Sequence, residues 1–227
     1  MNGMIDARLA CHCLSGIRAS SSMVIFDLWS DAQQYDFWGQ GHSSVKKCEK
    51  YFIKTGRLGF RKWREDDLVI AKKLWGDYEV TKFFDARDKL SQNEIQERLA
   101  KEIITEKEHG VQYWPIFLLE TNEHIGCCGL RPYDQSQQIY EIGFHIRSNQ
   151  WRRGYAREAA VAIIDYAFNT FKVSGLFAGH NPKNDVSRHL IEQLGFRYTH
   201  DEYYPPTNLN HPSYLLTVHE YTGIIPC

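Results

Sequence analysis

The chain has 227 residues, 43% of them apolar, with 27 basic and 28 acidic side chains and a formal charge of −1. This length allows one full domain and an appendage but not two equal domains. The charge balance gives no electrostatic footprint for nucleic acid or an anionic membrane, and no apolar run approaches the ~20 residues of a spanning helix, so specificity must come from a site.

Residues 1–50 carry serine runs, Gly39-Gln-Gly41 and isolated aromatics without sustained periodicity, and read as an extension to a domain at 55–221. The text from Val45 resembles the opening of a bacterial protein. Residues 1–44 are therefore expected to be either an over-extended gene start or a flexible, partner-binding arm. The segment around Arg8, His12 and Arg18 lacks the apolar centre of a signal peptide, so the expected address is cytoplasmic. Six cysteines (11, 13, 48, 127, 128 and 227) form no CxxC pair, and reduced thiols are expected. Cys11-His12-Cys13 has no second ligand pair at a suitable spacing, so no metal site is expected.

Residues 58–63 alternate apolar with basic side chains and predict a first strand. Asp66 and Asp67 precede Leu68, Val69, Ile70, Ala71, Leu74 and Trp75 as an acidic cap to a helix. A second helix follows Ser91, with Glu94 completing a capping box, Ile95, Leu99, Ile103 and Ile104 as its apolar stripe, and Gly110 as its end. Residues 113–120, 124–131 and 140–147 predict three strands, the first two joined by the hairpin turn Thr121-Asn122-Glu123. Apolar residues at 156, 159, 160, 163, 164, 167, 168 and 171 mark a helix with one buried face. A strand at 174–179, a helix at 184–194 and a strand pair at 196–203 and 213–221 close a mixed α/β domain.

The most informative stretch is Tyr140-Glu-Ile-Gly-Phe-His-Ile-Arg147 followed by Trp151-Arg-Arg-Gly-Tyr-Ala156. It reads as strand, glycine-bearing turn and helix. The first N–H groups of a helix have no partner within it and, with the helix dipole, form an anion site suited to a phosphorylated ligand. Gly154 lets backbone approach such a ligand, Ala156 keeps the helix start uncrowded, and Arg152 and Arg153 add charge. An ordinary helix start with a glycine turn is the alternative reading of that loop alone.

Across residues 55–221 the order of elements and motifs resembles the GNAT superfamily of acetyl-CoA-dependent N-acetyltransferases. It is most similar to the branch that contains the ribosomal-protein N-terminal acetyltransferases. The resemblance rests on Thr55-Gly-Arg-Leu-Gly-Phe-Arg-Lys-Trp63, Glu141-Ile-Gly-Phe144, Trp151-Arg-Arg-Gly-Tyr-Ala-Arg-Glu-Ala159, and Asn181-Pro-Lys-Asn-Asp-Val-Ser187 through Leu194-Gly-Phe196. Trp151 stands where the superfamily usually has Gln or Arg, a variant familiar in this branch.

The resemblance implies a mixed, mostly antiparallel central sheet with one parallel, splayed strand pair, flanked by helices. It further implies that acetyl-CoA serves as co-substrate, without a metal, and that backbone at Phe144, His145 and Ile146 pairs with the pantetheine arm. Trp151, Arg152, Arg153, Gly154, Tyr155 and Ala156 form the pyrophosphate turn, and Asn184 orients the pantetheine amides or simply caps its helix. Glu141 is the candidate base, because a lysine ammonium (pKa about 10.4) or an α-amine (about 7.7–8.0) must lose a proton to attack; a solvent-facing strand glutamate is its other reading, and Glu120 and Glu123 are weaker rivals.

Ser187 is the candidate donor to the departing thiolate, since Ile191 occupies the position where many superfamily members place a tyrosine. A serine bonding back to a helix carbonyl is its other reading. The resemblance implies that the acceptor is an amine, on a protein N-terminus or a small molecule, and the expected enzyme is a monomer or homodimer. Residues 78–109 and a loop at 201–212 are expected to select that acceptor, with Tyr78, Phe83, Phe84, Tyr203 and Tyr204 as possible walls. A non-catalytic acyl-CoA-binding or regulatory module is the rival from another class.

Overall fold

The computed structural model describes residues 50–86 and 89–222, the last by its backbone alone. Residues 1–49, with Cys11, His12, Cys13 and Cys48, and residue 227 lie outside the described residues.

In chain order the elements are β1 (Ile53–Lys54), β2 (Leu58–Phe60), α1 (Leu68–Trp75), α2 (Tyr78–Thr81), α3 (Gln92–His109), β3 (Tyr113–Leu118), β4 (His124–Asp134), β5 (Ile139–Ile146), α4 (Tyr155–Asp165), β6 (Gly175–Gly179), α5 (Asp185–Gln193), β7 (Arg197–Tyr204), β8 (Leu209–Thr217) and α6 (Val218–Thr222). They build an eight-stranded sheet in the order β1-β2-β3-β4-β5-β6-β8-β7. Every neighbouring pair is antiparallel except β5 and β6, which α4 joins as a crossover. This is the mixed sheet with one parallel pair that the motif order implies.

Strand alternation gives the sheet two apolar faces. Trp114, Ile116, Cys128, Leu130, Ile142 and Ile146 face a core completed by Ala159, Ala160, Ile163 and Ile164 of α4. Tyr113 and Cys127 face the other way, against Ala71, Leu74 and Trp75 of α1 and Ile95 and Leu99 of α3. Cys127 and Cys128 thus alternate across β4, both fully buried. Each large side chain removed from water in these cores contributes roughly 1.5–3 kcal/mol.

Ser91 accepts from the Glu94 N–H at 3.3 Å while Glu94 accepts from the Ser91 N–H at 2.7 Å, so the expected capping box opens α3. Its buried stripe differs from the apolar reading: Ile104 is 51% exposed, and Glu102 is fully buried beside Ile95 and Leu99. The acidic cap of α1 also differs. Residues Glu65–Asp67 form a separate tight turn, and the Asp67 carboxylate accepts from the Arg64 N–H and, at 2.6 Å twice, from the Arg61 guanidinium. The helix expected through Phe171 ends as α4 at Asp165, and Tyr166–Phe171 continue as one wide π turn closed by Lys172 at φ 65°. Residues 201–212 belong to the β7–β8 hairpin, not to a loop: Asp201 pairs with Pro212 and Tyr204 with Leu209. Proline at 212 and a solvent-exposed β7 conceal this pairing from pattern reading.

Candidate active site

The ladder between β5 and β6 ends where Glu141 meets Phe177, although β5 runs on to Ile146 and β6 to Gly179. On its other edge β5 stays paired with β4 as far as Ile146. The β6-facing backbone of Ile142 to Ile146, including Phe144, His145 and Ile146, therefore lies beyond the ladder, as an open strand edge inside the sheet. Because β5 and β6 are parallel, the segments leading to α4 and α5 emerge at the same end of the sheet. The crevice outside the carboxyl ends of diverging parallel strands is where α/β sheets bind ligands.

Past β5, a tight turn at Ser148–Gln150 is pinned by the Asp77 carboxylate, which accepts from the Ser148 N–H (3.2 Å) and hydroxyl (2.5 Å). The Trp151 indole N–H donates to the Ile146 carbonyl at 2.7 Å and ties the turn to the strand end. Arg152 (φ 62°) and Gly154 (φ 79°) both take left-handed backbone, the second without steric cost. The first helical bond of α4 runs from the Glu158 N–H to the Gly154 carbonyl at 3.1 Å, so the N–H groups of Tyr155, Ala156 and Arg157 precede it. Arg152, Arg153 and Arg157 are exposed in the same segment.

Arg57, which the sequence motifs did not single out, braces this turn. It donates to the Arg153 carbonyl (3.1 Å) and to Glu158 (2.7 Å) and lies over the Tyr155 ring at 4.6 Å.

On the α1/α3 face of the sheet, Glu141 stands directly across from Arg131. Tyr113 favours the carboxylate form of Glu141, and Arg131 lies over the Tyr113 ring at 4.1 Å. Gly143 leaves room for the Tyr113 ring: a Cβ there would sit 2.4 Å from the Tyr113 hydroxyl oxygen. Arg131 is paired with buried Glu102, which also accepts from the Tyr113 N–H at 2.9 Å. Burial holds the Glu141 carboxyl above its ordinary value, against Arg131, Tyr113 and Arg98, which pull it down. Glu141 is thus no solvent-facing strand residue. Glu123, by contrast, is committed to Arg147 and Gln150, and Glu120 is exposed.

His145 lies on the same face, its Nδ1 accepting from Trp75 Nε1 at 3.4 Å and its ring stacked on Phe84 at 4.7 Å. Burial, reinforced by Arg98 and Arg131, holds its pKa well below the ordinary value, so the ring is neutral and unsuited to general-base work at neutral pH.

Past β6, Asn184 Oδ1 caps α5 by accepting from the Ser187 N–H at 3.1 Å. The capping role is therefore the one the carbonyl of Asn184 fills. Ser187 is half-buried on the first turn of α5. A cleft of about 320 Å³ is lined by Tyr78, Lys82, Phe83, Asn181, Lys183 and Thr207, among others. Ala86 donates its N–H to the Pro206 carbonyl at 2.9 Å, which joins the segment after α2 to the β7–β8 turn. Of the expected aromatic walls, Tyr78 and Phe83 line this cleft, Phe84 turns inward onto His145, Tyr203 bonds Asn208, and Tyr204 packs on His211.

Residues 57–197 match the family model described as "Acetyltransferase (GNAT) domain". The chain belongs to the GNAT acetyltransferases. Among curated relatives, the "Uncharacterized N-acetyltransferase p20" of Bacillus licheniformis is 30% identical over 63% of this chain and 80% of its own. A GNAT-family acetyltransferase of Bacillus anthracis has a similar structure, with a TM-score of 0.63 and 22% identity over 73% of this chain and 97% of that one. So does RimL, a ribosomal L7/L12 α-N-protein acetyltransferase solved with coenzyme A (TM-score 0.63, 13% identity, 73% and 97% coverage). At these identities the structural likeness speaks for the fold alone.

Within this GNAT acetyltransferase, the open β5 edge, the α4 turn and Glu141 fall along one strand–turn–helix unit. Tyr113, Gly143, Arg131, Glu102 and Arg98 come to Glu141 only through sheet register and helix packing. Two signals for them existed in the sequence: a carboxylate at 102 on the spacing of Ile95 and Leu99, and a glycine inside a strand, which marks close approach. Among the described residues no group of three His, Cys, Asp or Glu side chains is placed to hold a metal, and no helix is long and apolar enough to cross a membrane.

Proposed function

We propose that this enzyme transfers an acetyl group from acetyl-CoA to a primary amine, on a small molecule or a protein N-terminus, by direct attack. The observation that carries the reading is a half-buried carboxylate of raised pKa, Glu141, at the point where β5 and β6 part. The surroundings fit acetyl-CoA. The open backbone edge at Phe144, His145 and Ile146 offers strand-like pairing to the pantetheine amides, while the N–H groups of Tyr155, Ala156 and Arg157, with Arg152, Arg153 and Arg157, suit the pyrophosphate. A side chain at 154 would strain that turn, since its φ is 79°.

Glu141 takes the proton of the incoming ammonium, directly or through water, and frees the nitrogen lone pair for the thioester carbonyl carbon. As the N–C bond forms and the C–S bond breaks, the sulfur electron pair needs a proton. Ser187 supplies it and is re-protonated from solvent, while the acylated nitrogen sheds its second proton to solvent and becomes the neutral amide. A backbone N–H on the open β5 edge serves the carbonyl oxygen as charge builds there. Acetyl-CoA supplies the activated acyl group, and no acyl-enzyme forms.

The test is CoA release from acetyl-CoA with a panel of primary amines, comparing wild type with Glu141→Gln and Ser187→Ala. The reading expects amine-dependent turnover, with kcat reduced about 100-fold or more in Glu141→Gln. A non-catalytic acyl-CoA module would bind acetyl-CoA and show no amine-dependent release in any variant.

A further inference from the structure

Arg98 is an interior guanidinium. It lies over the Phe84 ring at 4.6 Å and the Trp75 ring at 5.0 Å, and its Nε is buried without a hydrogen-bond partner. Arg131, the neighbouring cation, is matched by Glu102. Arg98 makes no ion pair or hydrogen bond with the described residues, and the charges of Glu102 and Glu141 reach it only from a distance. A guanidinium without a contacting partner inside a protein gains when a group of opposite sign reaches it.

Arg98 belongs to the cluster around Glu141. Its charge acts on Glu141, Tyr113, His145 and Tyr204, and the Phe84 ring beneath it stacks on His145 of the open strand. The cleft lined by Tyr78 and Phe83 points the same way: Lys82 and Lys183 are among its lining residues, and among the described residues no acidic side chain is. Lys82 is paired with Glu79, which leaves Lys183 as the lining cation without an ion pair among the described residues. A polyamine would bring several positive charges beside two guanidinium groups, Arg98 and Arg131. A zwitterion would present its amine to Glu141 and its anion to the guanidinium.

Resting on the acetyl-transfer reading above, we propose that the acceptor is a small primary amine that also carries an anionic group, carboxylate or phosphate, which Arg98 binds. Arg98 is the specificity-determining residue, and its planar fork suits either anion. Substrates of this class are amino acids and phosphorylated amines; polyamines and uncharged amines are excluded by the missing anion.

The test compares matched pairs of acceptors: amino acids against their carboxamides, and O-phosphoethanolamine against ethanolamine. In wild type the anionic member of the preferred pair has a kcat/KM about 10- to 100-fold higher, the effect of one hydrogen-bonded charge pair. Which pair shows the preference separates carboxylate from phosphate as the recognised group. In Arg98→Gln the ratio falls toward one through KM, and in Arg98→Lys it is partly kept. Equal use of acid and amide by wild type, faster turnover of polyamines, or a ratio unchanged in Arg98→Gln overturns the proposal while leaving acetyl transfer standing. Calorimetry distinguishes the converse: if anionic amines bind in an Arg98-dependent way but no variant releases CoA, the transfer reading has failed and the Arg98 site has not.

Discussion

The neighbours of Glu141, the proposed base, oppose one another. Burial raises its pKa, while Arg131, the Tyr113 hydroxyl and Arg98 favour the carboxylate, with Glu102 acting the other way. The deprotonated form must predominate for amine activation, so the rate should fall as pH drops through the raised pKa of Glu141. Tyr113→Phe removes a hydroxyl that favours the carboxylate and should move that acid limb to higher pH; an unmoved limb in kcat/KM profiles would show that Tyr113 only packs. Gly143→Ala places a methyl group 2.4 Å from the Tyr113 hydroxyl oxygen, so the ring must shift. It should lower kcat at least tenfold while acetyl-CoA affinity holds, as steady-state kinetics and calorimetry would report. Glu141 stood out in the sequence because its motif is contiguous. Tyr113, 28 positions earlier, reaches it only through the β3–β4–β5 register, which no local pattern specifies.

At the scale of elements, the unit from β5 through the glycine turn to α4 is local, and the sequence displayed it nearly whole. Its periodicity, turn glycine and open strand all lie within 140–171. The misreadings were of elements set by distant partners: the hairpin of β7 and β8 holds Pro212 opposite Asp201, and the stripe of α3 includes Glu102 because Arg131 and Tyr113 await it across the interface. Patterns of apolar residues are blind to a buried ion pair. The turn itself makes a quantitative prediction. Gly154→Val forces a β-branched residue to φ 79°, costing about 1–2 kcal/mol or more. Its melting temperature should drop, and the further stabilisation by saturating acetyl-CoA should shrink, in a thermal-shift titration.

Over the whole molecule, the two cores share one sheet, so a group buried in either contributes to the stability of both. His124, at the start of β4, is buried between the rings of Trp63 (5.6 Å) and Phe117 (5.4 Å). Burial, with Arg147 adding repulsion, lowers its pKa to about 3 from 6.5. The folded state therefore keeps a neutral ring where the unfolded chain takes up a proton. The contribution is intact above about pH 6.5 and is lost on acidification toward pH 3, approaching roughly 1.4 kcal/mol per pH unit. Urea midpoints at pH 7 and pH 5 should fall more steeply for wild type than for His124→Phe; parallel slopes would contradict this.

Where acetyl-CoA binds decides whether the open β5 edge and the α4 turn act together. Hydrogen exchange with and without acetyl-CoA reads that directly. It should slow exchange in peptides covering 142–146 and 153–157, with a smaller effect at the start of α5, and leave α3 little changed. Protection confined to other segments, or none at 142–157 at saturating acetyl-CoA, would contradict the placement of the acyl donor on the open edge of β5.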